Sequence, residues 1–151
     1  DGISPDLGTD STRHNVVLSA YYVNERSSFD TTQPSLRRLT LRADGSLGED
    51  EVIPGVENLQ VQLGIDTNGD GGVDRYVDGD NPLVTDDAAI VAVRLWMLVG
   101  TPADDQGWRD TNSYPAPDAD LGDLVAGTDD YPSSARRMQI SKTIYLNNQG
   151  S

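Results

Sequence analysis

The sequence contains no cysteine, a single histidine and few basic residues, and each shortage excludes a class of chemistry. Without thiols there can be no disulfide, zinc–thiolate site or cysteine nucleophile, although the compartment stays undecided. His14 has no local partner pattern, so we expect it to be exposed and idle rather than catalytic or metal-binding. With 25 acidic against 11 basic residues, the net charge of -14 disfavours nucleic acid and anionic membrane surfaces as partners.

Long apolar runs are missing too. No stretch approaches the length of a membrane span and no signal peptide is recognisable, so we expect a mature or truncated piece of a longer chain. At 151 residues and 36% apolar composition, the chain fits one domain. Most of its acids are Asp, which favours turns, cation ligation or solvation in a salty environment over helix interiors.

The periodicity predicts a mainly β protein. Residues 56–65 alternate, and we expect a strand with one buried apolar face and one wetted face. The apolar face would carry Leu59, Val61, Leu63 and Ile65, and the wetted face Asn58, Gln60, Gln62 and Gly64. Residues 90–99 are apolar on both faces apart from Arg94, which predicts a central strand covered on both sides with Trp96 in the core.

Three further runs predict strands, at residues 15–23, 35–42 and 136–146. Asp44-Gly45 predicts a hairpin turn. The only helix indication is a short turn near residues 86–89.

The chain divides into a polar N-terminal arm at residues 1–14 and one β-rich domain at residues 15–151. The domain includes a long acidic loop at residues 101–135, of a length that is usually functional or disordered. Asp118, Asp120 and Asp123 could form a second cation site there, the alternative being a solvated acidic loop. Trp108 and Tyr114 are candidate anchors for a partner, unless they pack onto the sheet.

An oxygen-rich loop at residues 66–74 is the most informative motif. Asp66, Asn68 and Asp70 recur at alternate positions before Gly71, as in the D-x-[DN]-x-[DN]-G pattern of calcium loops. The carbonyl of Gly72 is the expected backbone ligand, because calcium takes six to eight oxygen ligands in flexible geometry.

The match breaks at the twelfth position of the calcium loop, where Val77 replaces the usual bidentate Glu. The closing carboxylate would have to come from Asp74, Asp78 or Asp80. The sequence thus predicts a Ca²⁺ site that involves Asp66, Asn68, Asp70, Gly72, Asp74 and Asp78. The alternative is an Asx- and Gly-rich turn made of the same residues for backbone reasons.

Patterns for catalysis are weak. Adjacent carboxylates such as Asp86-Asp87 or Asp129-Asp130 face opposite ways in a strand and are solvated in loops, so a paired-Asp hydrolase is the least favoured hypothesis. Arg37-Arg38 and Arg136-Arg137 are interpreted as charge balance, with a small binding patch as the alternative. We expect no enzyme.

Residues 55–66 (GVENLQVQLGID), with the Asp/Asn/Gly loop and residues 74–77 (DRYV) after them, resemble PilW-type minor pilins of bacterial type IV pili. Residues 90–99 and 136–148 are similar to the family's following and closing strands. Pseudopilins of type II secretion share the first strand in looser form. The resemblance covers about residues 15–148, and the family's prepilin leader and hydrophobic N-terminal helix are not among the residues of this sequence.

The resemblance implies a non-enzymatic pilus component whose antiparallel β domain is carried by a long N-terminal helix, an α+β fold when that helix is included. It would join other minor pilins and the pilus fibre, prime assembly, and sit at or near the tip. It would lie at the cell surface, after residing in the inner membrane through the helix. The alternative is a calcium-dependent extracellular recognition or adhesion module that binds glycan or a host surface through the loop at residues 101–135.

Overall fold

The computed structural model describes residues 16–101, 107–118, 122–128 and 130–146. The predicted N-terminal arm and His14 lie outside these residues. The described part contains nine β-strands and no helix, and every paired strand is antiparallel, which confirms the mainly β prediction.

The strands form two sheets and one small hairpin. The first sheet has the order β1-β2-β3, with β1 at Ser19–Asn24, β2 at Ser35–Leu41 and β3 at Leu47–Pro54. The second has the order β5-β4-β6-β9, with β4 at Val56–Asp66, β5 at Arg75–Asp78, β6 at Ala89–Gly100 and β9 at Arg137–Tyr145. The hairpin joins β7 at Ser113–Tyr114 to β8 at Leu124–Val125.

The five strands predicted from periodicity are confirmed as β1, β2, β4, β6 and β9, with shifted ends. The Asp44-Gly45 hairpin is confirmed as well, because the Arg42 amide donates to the Ser46 carbonyl at 2.9 Å and Gly45 has a φ of 82°. Strand β3 was not predicted, since its sequence is acidic; it pairs with β2, where Arg37 and Arg38 meet Glu49 and Asp50. Near residues 86–89 the chain makes a turn, which is closed by a hydrogen bond from the Ala88 amide to the Thr85 carbonyl at 3.0 Å.

Gly55 joins the two sheets. Its amide donates to the Pro34 carbonyl of the first sheet and its carbonyl accepts from the Gly100 amide of the second, each at 2.8 Å. Its φ is 79°, and a Cβ at this position would overlap the Gly100 carbonyl oxygen. Glycine is therefore required here both for the left-handed backbone and for the close approach.

The core lies on one face of the four-stranded sheet, between the sheet and the described parts of the long acidic loop. Trp96 and Leu98 of β6 contact Tyr114 and Leu124 of the hairpin, and Ala126 and Tyr131 pack against this cluster. We call this side of the sheet the covered face. The prediction that Trp96 belongs to the core is confirmed, since it is 4% exposed.

The predicted orientation of β4 is wrong at Gln60, Val61 and Gln62, although Ile65 is buried as expected. Gln60 and Gln62, expected in water, are each 8% exposed on the covered face, whereas Val61, expected in the core, is 41% exposed. The glutamines are buried because the long loop hydrogen-bonds to them: the Asp118 amide donates to Gln60 Oε1 at 3.0 Å, and Gln62 Nε2 donates to the Pro117 carbonyl at 3.4 Å.

The opposite side of the sheet, which we call the open face, is apolar and incompletely buried. Because paired residues of antiparallel strands share a face, the register of β4, β6 and β9 places a continuous group of apolar side chains on it. Most are half-buried, while Val61, Met138 and Ile144 are exposed. The prediction that both faces of β6 are covered is therefore also wrong. The group includes Leu59, Val61, Leu63, Val93, Leu95, Met97, Val99, Met138, Ile140 and Ile144.

Candidate functional site

The predicted calcium loop connects β4 to β5 and forms the end of a hairpin. Ile65 pairs with Arg75, and the Asp74 amide donates to the Ile65 carbonyl at 2.9 Å. Gly69 and Gly71 have φ values of 81° and 82°, which glycine adopts without steric cost. The two glycines allow the chain to turn tightly around the Asp66 side chain.

Asp66 organises the first half of the loop. Its Oδ1 accepts from the amides of Asn68 at 3.1 Å and Gly69 at 2.7 Å, and its Oδ2 accepts from the Gly71 amide at 2.7 Å. These bonds, led by the one from Gly71, hold the pKa of Asp66 below its usual value although partial burial opposes the shift. The carboxylate is therefore ionised at neutral pH.

Asp74 closes the loop from its other end. Its Oδ2 accepts from the hydroxyl of Thr67 at 2.6 Å and from the amide of Thr67 at 2.7 Å, while its Oδ1 accepts from Asn68 Nδ2 at 3.2 Å. The Thr67 bonds lower the pKa of Asp74, and they outweigh the opposing effect of the nearby Asp66 charge.

Asn68 and Asp70 complete a chain of side-chain-to-backbone turns. Asn68 Oδ1 accepts from the Asp70 amide at 2.9 Å, and Asp70 Oδ1 accepts from the Gly72 amide at 2.7 Å. Asp66, Asn68, Asp70, Gly72 and Asp74 thus share one loop. Its acidic and amide oxygens are engaged mainly by backbone N–H groups, as the turn hypothesis expects.

Asp78 does not join them. It pairs with Gln62, and its Oδ1 accepts from Gln62 Nε2 at 3.2 Å. It is the third residue after Arg75, so at the rise of a strand it lies roughly 10 Å along β5 from the start of that strand. Across the described residues, no group of three or more His, Cys, Asp or Glu side chains converges as a metal site requires.

The second predicted cation site is only partly described, because Asp120 lies outside the described residues. Asp123 accepts from the Ser113 hydroxyl at 3.1 Å, across the β7–β8 hairpin. The Asp118 amide is bound to Gln60, on the sheet. The two residues thus have different partners.

A buried charge cluster, which sequence reasoning missed, holds the long loop to the covered face. Arg137 of β9 has a fully buried side chain and makes two bonds to Glu57, at 2.6 and 3.0 Å. Its Nη1 also lies 3.3 Å from Asp110 and donates to the Pro132 carbonyl at 2.8 Å. The Tyr114 hydroxyl donates to the same Asp110 at 2.8 Å.

Burial by itself raises the pKa of Asp110, but bonds from the Asn112 amide, the Tyr114 hydroxyl and Arg137 outweigh it, so the pKa lies below its usual value. The cluster therefore carries ionised groups in the interior. A possible signal in the sequence was the pair Arg136-Arg137, which we interpreted as charge balance. Arg136 does stay near the surface, where its guanidinium lies 4.4 Å from the centre of the Trp108 ring.

The two candidate anchors of the long loop differ in burial. Tyr114 is buried in the core, as packing onto the sheet requires, whereas Trp108 is 40% exposed beneath Arg136. The Arg37-Arg38 pair is engaged by acids of β3, which agrees with the charge-balance interpretation.

The surfaces open to a partner include the open face and the edge of β9. The described residues contain no helix, and therefore none that is long and apolar enough to cross a membrane. A catalytic arrangement is not apparent among the described side chains.

A comparison with known proteins gave a family match. A family model described as PilW, Type IV Pilus-assembly protein W, matches residues 20–148, which is well over half of the chain. Neither the curated proteins nor the solved structures gave a match.

Proposed function

The chain belongs to the PilW family of type IV pilus-assembly proteins, and from this premise we propose that it is a non-enzymatic minor pilin that helps to prime pilus assembly at or near the tip. Membership implies interaction with other pilus-assembly components and a location in the pilus or the cell envelope. The minor-pilin role and the tip position are the proposed part.

The open face is the observation that carries the proposal. The face of an antiparallel sheet that meets water is normally polar, yet the odd-numbered side chains of β6 on this side are apolar and only half-buried. Contiguous exposed apolar surface of this kind marks a contact site. We infer that the open face is covered in the assembled protein, either by the apolar N-terminal helix that the pilin resemblance implies or by a neighbouring subunit.

Complementation with a matched pair of variants tests this proposal. Val61 on the open face and Val52 on β3 are 41% and 44% exposed, so Val61→Lys and Val52→Lys add the same charge to equally exposed valines. In cells that lack the native gene, Val52→Lys should restore pili, counted by electron microscopy. Val61→Lys should not, because a covering element would bury the ammonium without a counterion. Equal piliation by both variants would overturn the assignment of the open face.

We further propose that the loop at residues 66–74 binds Ca²⁺ when the ion is present. Support comes from the ionised Asp66 and Asp74, which both contact Asn68 from the two ends of the loop: Asp66 accepts from its backbone amide and Asp74 from its side-chain amide. Carboxylate and amide oxygens are the ligands that calcium prefers. Calorimetric titration of the metal-free protein tests the proposal, and an absence of binding at millimolar Ca²⁺ would leave the turn hypothesis alone.

An adhesive role is the alternative function, and the exposed indole of Trp108 is the observation that favours it. Aromatic rings with one accessible face are common anchors in recognition sites. Binding to a glycan array that is lost in Trp108→Ala, in protein whose unfolding temperature is unchanged, would support adhesion. A blank array would leave only the structural role.

A further inference from the structure

We propose that β9 accepts an extended strand from a neighbouring minor pilin by β-augmentation, with an acidic residue of that strand beside Lys142. This inference rests on the proposed pilus-assembly function and specifies how the contact is made. Strand addition supplies affinity through main-chain hydrogen bonds and specificity through alternate side chains.

The hydrogen-bond register shows which backbone groups of β9 face outward. At its two ends the Thr101 amide donates to the Arg136 carbonyl at 2.9 Å and the Leu146 amide donates to the Val91 carbonyl at 2.8 Å. Residues that exchange such bonds alternate along an antiparallel pair, so the even-numbered residues of β9 face β6. The odd-numbered ones, from Arg137 to Tyr145, direct their N–H and C=O groups away from the sheet.

This edge is regular enough to pair. Strand β9 has nine residues, and its register with β6 continues without a bulge. Among the described strands β9 pairs with β6 alone. Natural sheets protect such edges with bulges, prolines, short strands or charges. Of these protections β9 has only charge, from two basic residues, and one of them is the buried Arg137.

Charge decides which strand would fit. From Tyr131 to Ser151 the sequence contains no Asp or Glu, although the whole chain has a net charge of -14. Lys142 is the only lysine, is exposed, and lies among the apolar side chains of the open face. An acidic side chain on an added strand would pair with it, while Met138, Ile140 and Ile144 would favour apolar neighbours on the same face.

A second copy of this chain fits less well. Two β9 strands paired about Ser141 would place each Lys142 beside the Ile140 of the other copy, with the two ammonium groups on the diagonal and no acid to separate them. Two chains of charge -14 also repel each other. The surface therefore favours a different subunit.

The test uses the outward amide of Ser141. Ser141→Pro removes an N–H that β6 does not use, and proline is tolerated at such edge positions; Ser141→Ala keeps the N–H and removes only the hydroxyl. Binding of the purified minor pilins of the same pilus is measured by calorimetry. We expect Ser141→Ala to bind as the native chain does and Ser141→Pro to bind roughly tenfold more weakly or worse.

Amide exchange of the native protein keeps the inference testable even if Ser141→Pro fails to fold. In the free protein the amides of Gln139, Ser141 and Thr143 should exchange faster than those of Ile140, Lys142 and Ile144, and the bound pilin should protect the first set. A pilin that binds without protecting them would overturn the strand pairing and leave the proposed function standing. Binding of none of the minor pilins would overturn both.

Discussion

Replacing Arg137 by Met should be the most damaging single change in the covered face. The side chain is fully buried, and its loss would leave the Glu57 and Asp110 carboxylates, 13% and 1% exposed, without their shared counterion. Removing one partner of a buried ion pair costs about 3–5 kcal/mol. For a domain of this size we expect an unfolding temperature lower by about 6–20 °C at neutral pH.

The pH dependence of this loss identifies its cause. In the native protein the pKa of Asp110 is lowered, so its contribution to stability is present above the unfolded pKa and is lost as the pH falls through the folded pKa. In the variant, burial without a counterion should raise the pKa of Asp110, and protonation should relieve the repulsion. The difference in stability should therefore be largest above the raised pKa of the variant, and it should shrink as the pH falls from there through the lowered pKa of Asp110 in the native protein.

The assay is urea unfolding, followed by circular dichroism and tryptophan fluorescence, at pH 7 and pH 3. The matched control is Arg136→Met, which removes a guanidinium from the neighbouring position, where it lies over Trp108. That stacking contributes about 0.5–1 kcal/mol. Equal losses for the two variants, or a loss in Arg137→Met that does not change with pH, would refute the claim that the buried charge cluster holds the loop.

Three further predictions concern the loop, the sheet junction and the open face. If the loop binds calcium, a hundredfold excess of Ca²⁺ over the dissociation constant should raise the unfolding free energy by ~2.7 kcal/mol. Asp70→Asn keeps the oxygen that accepts from Gly72 but removes the charge, so it should reduce this gain. An unfolding free energy that does not change when EGTA is added to loaded protein would contradict the prediction. Gly55→Ala should cost about 1–3 kcal/mol through backbone strain alone, whereas Gly79→Ala, with open space around its Cβ position, should be nearly neutral in the same urea titration. In the isolated domain Val61→Lys should lower the unfolding free energy by only about 1 kcal/mol. The side chain is already 41% exposed, and the lysine stem can stay on the sheet while its charge reaches water. A loss of several kcal/mol would mean that the open face is covered within the domain.

The sequence predicted β4, β6 and β9, three strands of the four-stranded sheet, because their apolar period is strong. Strand β6 carries apolar residues at ten of its twelve positions, and β4 alternates from Asn58 onward. Strand β3 could not be predicted in this way, since Glu49, Asp50 and Glu51 occupy its centre and Arg37 and Arg38 of β2 compensate them. Such pairing depends on residues distant in sequence, which a local pattern does not contain.

The candidate calcium loop shows a different limit. Its residues were found correctly as one local unit, because Asp, Asn and Gly at short spacing form a turn whether or not an ion binds. Asp78 was included because it is near in sequence, but the direction of β5 takes it away from the loop and to Gln62. Spacing specified the loop itself, whereas the position of the next carboxylate depended on strand pairing.

The reversed faces of β4 follow from what covers each side. An irregular segment has backbone N–H and C=O groups that no regular element satisfies, so it packs best on a surface with polar side chains. Gln60 and Gln62 are that surface, since they bind the Asp118 amide and the Pro117 carbonyl. A helix satisfies its own backbone and packs on a mainly apolar surface, and the open face offers one. Alternation in β4 therefore separated the two faces correctly, and each face matches a different partner. The glutamine side matches the long acidic loop. The valine and leucine side matches a regular element, such as the helix proposed above.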